Sequence, residues 1–118
     1  MESVRQMIGT IYLALAESAG EGVLDDANKI ITNAINTART GGQSHITVVG
    51  HTDTSGSAAY NQRLSVRRAN VVVEALVDMG ARRAAIQASG VGKTDLAVPT
   101  PDGVKEAKNR RSVIALIP

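Results

Sequence analysis

A chain without a single Phe or Trp, and with only two Tyr, has to fill its interior with small and branched aliphatic side chains. Val, Ile, Leu and Ala pack well between the ridges of a helix and the face of a pleated sheet, so the shortage of aromatics points to a layered helix-on-sheet architecture. Hydrophobic residues make up 43% of the 118, enough for one compact core in a chain too short for two. The expectation is a single domain across residues 1–118, with residues 1–9 a linker from a larger parent protein.

Glycines punctuate the apolar pattern. Residues 8–16 are a largely apolar run read as a buried first strand, with helix as the competing assignment because Ala and Leu favour it. After Gly20 and Gly22, apolar side chains recur at Leu24, Ala27, Ile30, Ile31, Ala34, Ile35 and Ala38, the spacing of a helix with one buried stripe over residues 23–39. Gly41 and Gly42 end it. The β-branched run from His45 to Gly50 reads as a strand and stops at a polar turn, residues 51–57. A second helix is expected from Ser57 or Ala58 to Met79, with Gly80 as its C-terminal cap, and a third strand over residues 84–89. Residues 90–103 hold three Gly and two Pro and read as an ordered loop; residues 112–117 close the chain as a strand. The predicted order is β-α-β-α-β-β, an α/β sandwich with two long helices packed on one face of a mixed sheet.

Composition excludes several function classes. Thirteen basic residues nearly balance eleven acidic ones. The basic residues do gather in Arg63/Arg67/Arg68, Arg82/Arg83 and Lys105/Lys108/Arg110/Arg111, but mixed charge is the ordinary state of a solvated surface, and single-stranded nucleic-acid readers stack bases on aromatic rings that this chain lacks. No nucleic-acid partner is expected. The absence of Cys excludes disulfides and thiolate metal sites. No run approaches the ~20 apolar residues that span a bilayer, so the domain is not expected to be membrane-embedded. Met1-Glu2-Ser3 opens acidic and does not resemble a signal peptide; a chain that works outside the cytoplasm would be a mature fragment or an excised domain.

The stretch from Gly50 to Ala69 carries the chemistry. A strand ending at Gly50 delivers Asp53 into a short turn beyond its C-terminal edge, where α/β sheets commonly place ligand sites. The following helix carries Asn61, Leu64 and Arg68 at spacings of three and four, so the three share a face. Arg67 aligns with Arg63, Asn70 and Glu74, a solvent stripe, whereas Arg68 aligns with Leu64, Val72 and Ala75, the stripe that faces the sheet. An Arg there is costly to desolvate unless a carboxylate meets it, and Asp53 is the candidate neighbour. Two readings follow: a plain Asp53–Arg68 salt bridge, or a bipolar pocket in which Asp53 receives a ligand ammonium and Arg68 forks a ligand carboxylate.

Gly50-His-Thr-Asp53, Gly56, Tyr60-Asn61, Leu64-Ser65, Arg68-Ala69 and Asn109-Arg110-Arg111 together resemble the OmpA/MotB/Pal peptidoglycan-binding family, from about Thr10 to the C-terminus. The resemblance implies an OmpA-C-like fold and a non-enzymatic module that binds the diaminopimelate residue of the peptidoglycan stem, without a cofactor or metal. It places the domain in the periplasm, attached to an outer-membrane or other envelope protein. The family's pocket Asp maps onto Asp53 and its carboxylate-binding Arg onto Arg68, with Asn61, Leu64, Thr52 and Arg110 at neighbouring positions of the pocket wall. The sequence departs from the family at Leu13-Ala14-Leu15-Ala16, where members carry acidic residues in the first strand, and at Lys93, where Glu is common. A family member that keeps the fold and has lost the ligand is therefore the second reading.

Three other chemistries fit poorly. Gly90-Val-Gly-Lys-Thr94 resembles the end of a phosphate-binding loop, but the pattern needs Gly where Gln87 stands, and residues 95–101 cannot continue a helix. His45 and His51 lie six apart with no third metal ligand near in sequence, so His51 is expected to be a turn residue bonded to backbone. Ser55, Ser57, His51 and Asp53 share one loop with no nucleophile elbow, which argues against hydrolysis.

Overall fold

The computed structural model describes residues 6–11, 25–41 and 45–117. Four strands, β1 (Gln6–Ile11), β2 (His45–His51), β3 (Ile86–Gly90) and β4 (Arg111–Ile117), form one sheet in the order β1-β4-β2-β3. β4 runs antiparallel to both β1 and β2, while β2 and β3 are parallel, so the sheet is mixed. Two long helices, α1 (Asp25–Gly41) and α2 (Ala58–Asp78), complete the expected order.

Side chains alternate along the two central strands. Ile46 and Val48 of β2 and Ile114 and Leu116 of β4 meet Ile31, Ala34 and Ile35 of α1 and Ala69, Val72, Val73 and Leu76 of α2 in one buried cluster. The periodicity that marks the helices is thus the stripe that covers one sheet face. Ser57 caps α2, its hydroxyl accepting the amide of Tyr60 at 3.1 Å. The helix ends where Gly80 takes φ +109, a conformation side chains resist.

The starts of two strands differ by two residues from the sequence reading. The first described strand is Gln6–Ile11, so it begins ahead of the expected residue 8 and includes residues 6–9, expected in a linker; residues 12–24 lie outside the described residues. Among the described residues β1 pairs on one side only, and the register slips between Met7 and Gly9, the signature of a bulge. Residues 83–85 are a 3-10 turn, and β3 begins at Ile86. The Ala pair there is a poor strand former, and pairing starts only at the β-branched Ile86, opposite Ile46.

Helix and sheet approach each other closely at Ser65, a residue with no exposed surface. A methyl group built on Gly50 would overlap the Ser65 carbonyl, and one on Gly90 would overlap the Ser65 hydroxyl. These two residues are register partners at the ends of parallel strands, and they let α2 sit directly on the backbone. That seat fixes which α2 side chains reach the end of β2.

Candidate functional site

Beyond His51 the chain leaves the sheet through Thr52, Asp53 and Thr54, all buried. The Asp53 carboxylate is held on both oxygens. Oδ1 accepts the Ser55 amide at 3.0 Å and the Ser55 hydroxyl at 2.5 Å. Oδ2 accepts the Glu106 amide at 3.2 Å and Arg110 Nη1 at 2.8 Å. Burial opposes ionisation of this carboxyl most strongly, but the Ser55 hydroxyl, the Arg110 guanidinium and the two backbone amides outweigh it, and its pKa lies below the usual carboxylate value. Asp53 is therefore a buried, ionised and fully hydrogen-bonded carboxylate.

The expected partner is corrected by this geometry. Among the described residues, the cation paired with Asp53 is Arg110, not Arg68. β4 runs antiparallel to β2 with Arg111 opposite His51, so the residue just before β4 arrives beside the residues just after β2. That juxtaposition joins positions 57 apart, and spacing along one helix cannot reveal it. Arg68 does lie on the buried side of α2, 6% exposed against an exposed Arg67. Its Nη1 donates to the His51 carbonyl at 3.3 Å, two residues upstream of Asp53.

The other expected pocket residues divide by role. Asn61 is buried, and its amide donates to the Ser55 carbonyl at 2.8 Å, bracing the turn that carries Asp53. Thr52 is fully buried and donates its hydroxyl to the Asp53 carbonyl at 3.0 Å, so it supports the turn from beneath. Leu64 is half-buried on α2 between Asn61 and Arg68.

Two supports were not singled out from sequence. Ser55, two residues after Asp53, closes the side-chain-to-backbone turn that Asp favours at that spacing, and the Asp-x-Ser pattern was its signal. Thr54 anchors the loop of residues 91–104. Its hydroxyl accepts the Val104 amide at 2.9 Å and lies 2.7 Å from the Pro101 carbonyl, while its carbonyl accepts the Gly103 amide. Lys93 and Asp102 clasp the two ends of that loop at 2.6 Å, and Asn109, with no exposed surface, bonds both backbone groups of Val98. Asn109 and Lys93 stood out in the sequence through the family resemblance, and Thr54 and Asp102 carry no such signal.

His51 closes β2 with its ring buried. Nδ1 lies 3.0 Å from the Asp95 carbonyl, which can only accept, so Nδ1 carries the proton. The expected backbone bond is present, although His51 ends a strand instead of occupying a turn. Burial first, and the nearby Arg111 charge second, lower its pKa. The segment after Thr94 is turn and loop, not helix.

The Asp53 shift has a measurable sign. Its folded pKa is depressed, so it contributes stability that is present above the unfolded value of about 3.9 and is lost as pH falls through the folded value. The melting temperature of the domain is expected to fall on acidification below about pH 4, and Asp53→Asn should flatten that limb. Thermal melts of both proteins across the acid range check this; identical acid limbs would contradict it.

An ionised carboxylate thus stands just past the end of a central strand of a mixed α/β sandwich, with Arg68 of α2 and Arg110, just ahead of β4, both bonded to the segment 51–53. Residues 18–110 match the OmpA family, and the chain belongs to it. It is 36% identical over 74 residues to Outer membrane protein A of Serratia marcescens, covering 62% of this chain and 21% of that protein. Outer membrane porin F of Pseudomonas aeruginosa is 42% identical over 66 residues, 55% of this chain and 19% of the porin. The chain thus spans about a fifth of these relatives. Among solved structures, the peptidoglycan-associated lipoprotein of Burkholderia pseudomallei superposes with a TM-score of 0.68 at 28% identity, covering 80% of each chain. The OmpA-like domain of FopA1 from Francisella tularensis gives 0.70 at 21% identity, over 82% of this chain and 66% of that one, which shows a shared fold. No described helix is long and apolar enough to cross a membrane.

Proposed function

We propose that this domain binds peptidoglycan non-covalently and without catalysis, through the diaminopimelate residue of the stem peptide. From the periplasm it anchors an outer-membrane or other envelope protein to the cell wall. One observation carries the reading: a buried, ionised Asp53 sits just past the end of β2 with the arginines of the family pattern close by, Arg68 on the His51 carbonyl and Arg110 on Asp53 itself. An ammonium suits the carboxylate, and a carboxylate suits a guanidinium fork. Family membership and the likeness to a peptidoglycan-associated lipoprotein support it.

Two or three charged bonds to one residue give affinities between micromolar and millimolar, and anchoring then depends on the repetition of the epitope in the wall. Co-sedimentation with purified sacculi tests the reading. Diaminopimelate-type peptidoglycan should retain the domain, whereas lysine-type peptidoglycan, whose stem residue lacks the terminal carboxylate, should not. Equal retention would remove the diaminopimelate assignment. No retention on either would leave a domain that keeps the fold without the ligand.

A further inference from the structure

We propose that Arg110 fills, in the ligand-free domain, the place on Asp53 that a ligand ammonium takes, so that binding is an exchange of one cation for another. The inference rests on the amino-acid ligand proposed above and adds how the site selects it. A carboxylate offers about four acceptor positions, and Asp53 has all four in use: the amide and hydroxyl of Ser55 on Oδ1, the Glu106 amide and Arg110 on Oδ2. An arriving ammonium finds no free lone pair.

The four donors are not equally able to leave. The amides of Ser55 and Glu106 are backbone, and withdrawing them would undo the turn after β2 or the entry to the 3-10 turn at Ala107–Asn109. The Ser55 hydroxyl is neutral, so its departure would leave two cations sharing one carboxylate whose side chain is 5% exposed. Arg110 is different. Its side chain is 27% exposed and touches Asp53 through Nη1 alone, with no other hydrogen bond to a described residue. It can swing outward on a flexible stem while Asn109 beside it stays pinned to Val98.

The charge balance of this exchange defines the ligand class. A plain amine that displaced Arg110 would leave the guanidinium without its counterion. A zwitterionic amino-acid terminus brings its own carboxylate, which the released Arg110 can pair with at the rim. Arg110 is therefore a specificity-determining residue: it penalises amines and spares amino acids.

The test is a titration of the 118-residue domain with meso-diaminopimelate and with cadaverine, which keeps the two nitrogens at the same carbon spacing and lacks both carboxylates. Wild type should prefer diaminopimelate by about tenfold or more, and Arg110→Gln should bind cadaverine about tenfold better, shrinking that preference correspondingly. Lys105→Gln, an exposed position losing the same charge, should leave the preference unchanged. In the wild-type protein, the guanidinium resonances of Arg110 should move when diaminopimelate binds, a reading that needs no variant to fold. An unchanged preference in Arg110→Gln, an equal collapse in Lys105→Gln, or unmoved Arg110 resonances with ligand bound would each overturn the exchange while leaving the diaminopimelate reading standing. A gain of cadaverine binding in Arg110→Gln with no diaminopimelate binding by either protein would support the exchange and remove that reading. Absence of binding by any ligand to any variant would end both.

Discussion

Arg68→Ala should abolish retention on peptidoglycan, whereas Arg67→Ala next to it should leave retention nearly intact. The two changes remove the same chemistry from adjacent positions. Arg68 is buried at the end of β2 and Arg67 is exposed on the far stripe of α2, so a difference between them reports geometry and not overall basicity. Losing a buried guanidinium that meets a ligand carboxylate costs about 2 kcal/mol or more, roughly thirtyfold in Kd, enough to remove binding that starts in the micromolar to millimolar range. Asp53→Ala should behave like Arg68→Ala. Were the partner an acidic polymer read by charge alone, both arginines would contribute alike and binding would fall steeply with salt. Sedimentation assays on the three variants, each with a melting curve, decide the matter; equal losses at Arg67 and Arg68 would overturn the assignment. The melts are essential because Arg68 also ties α2 to the His51 carbonyl, so part of its loss can appear as stability.

The second large effect belongs to a residue with no side chain. Gly50→Ala should cost about 3 kcal/mol, the upper end of ordinary overpacking, and lower the melting temperature by roughly 10–15 °C. The added methyl meets the backbone carbonyl of Ser65, which no rotamer change can clear, so α2 must lift from the sheet. Gly80→Ala provides the contrast. Nothing stands within 4 Å of a methyl there, and only the backbone conformation resists, at about 1–2 kcal/mol. Comparable melting temperatures for the two would mean that α2 is not seated on Gly50. Because that seat also places Asn61 and Arg68, Gly50→Ala should weaken peptidoglycan retention even where the protein remains folded.

Short-range pattern made much of this legible, and long-range pairing set its limit. The stripe of α2 separates Arg68 from Arg67 because 3.6-residue periodicity is local, and the structure buries one and exposes the other. The turn at Asp53 was readable from Gly50 and the polar residues after it, although β2 runs one residue further, to His51. Arg110 as the partner of Asp53 was not, since it depends on β4 lying antiparallel beside β2 in the register His51 opposite Arg111. A single sequence holds no record of which strands become neighbours. Thr52 and Asn61 also brace the turn, their polar atoms donating to its backbone carbonyls, a role that residue type alone does not reveal. The family departure at Leu13–Ala16 lies outside the described residues.

The sheet order has a consequence for how binding competence arises during folding. The strand latest in the chain, β4, is inserted between β1 and β2, so the earliest strand has no described neighbour in the sheet until Arg111–Ile117 is in place. The same insertion brings Arg110 and the Glu106 amide to one oxygen of Asp53, Oδ2. Contacts of such long sequence separation form late and together, because the loop entropy must be spent before the pairing returns anything. A nascent or clipped chain ending before Arg110 would hold Asp53, Asn61 and Arg68 in sequence yet have a sheet split in two and a carboxylate without its counterion. Such a domain does not acquire its site by degrees: the pairing that completes the sheet is also the one that brings Arg110 and Glu106 to Asp53.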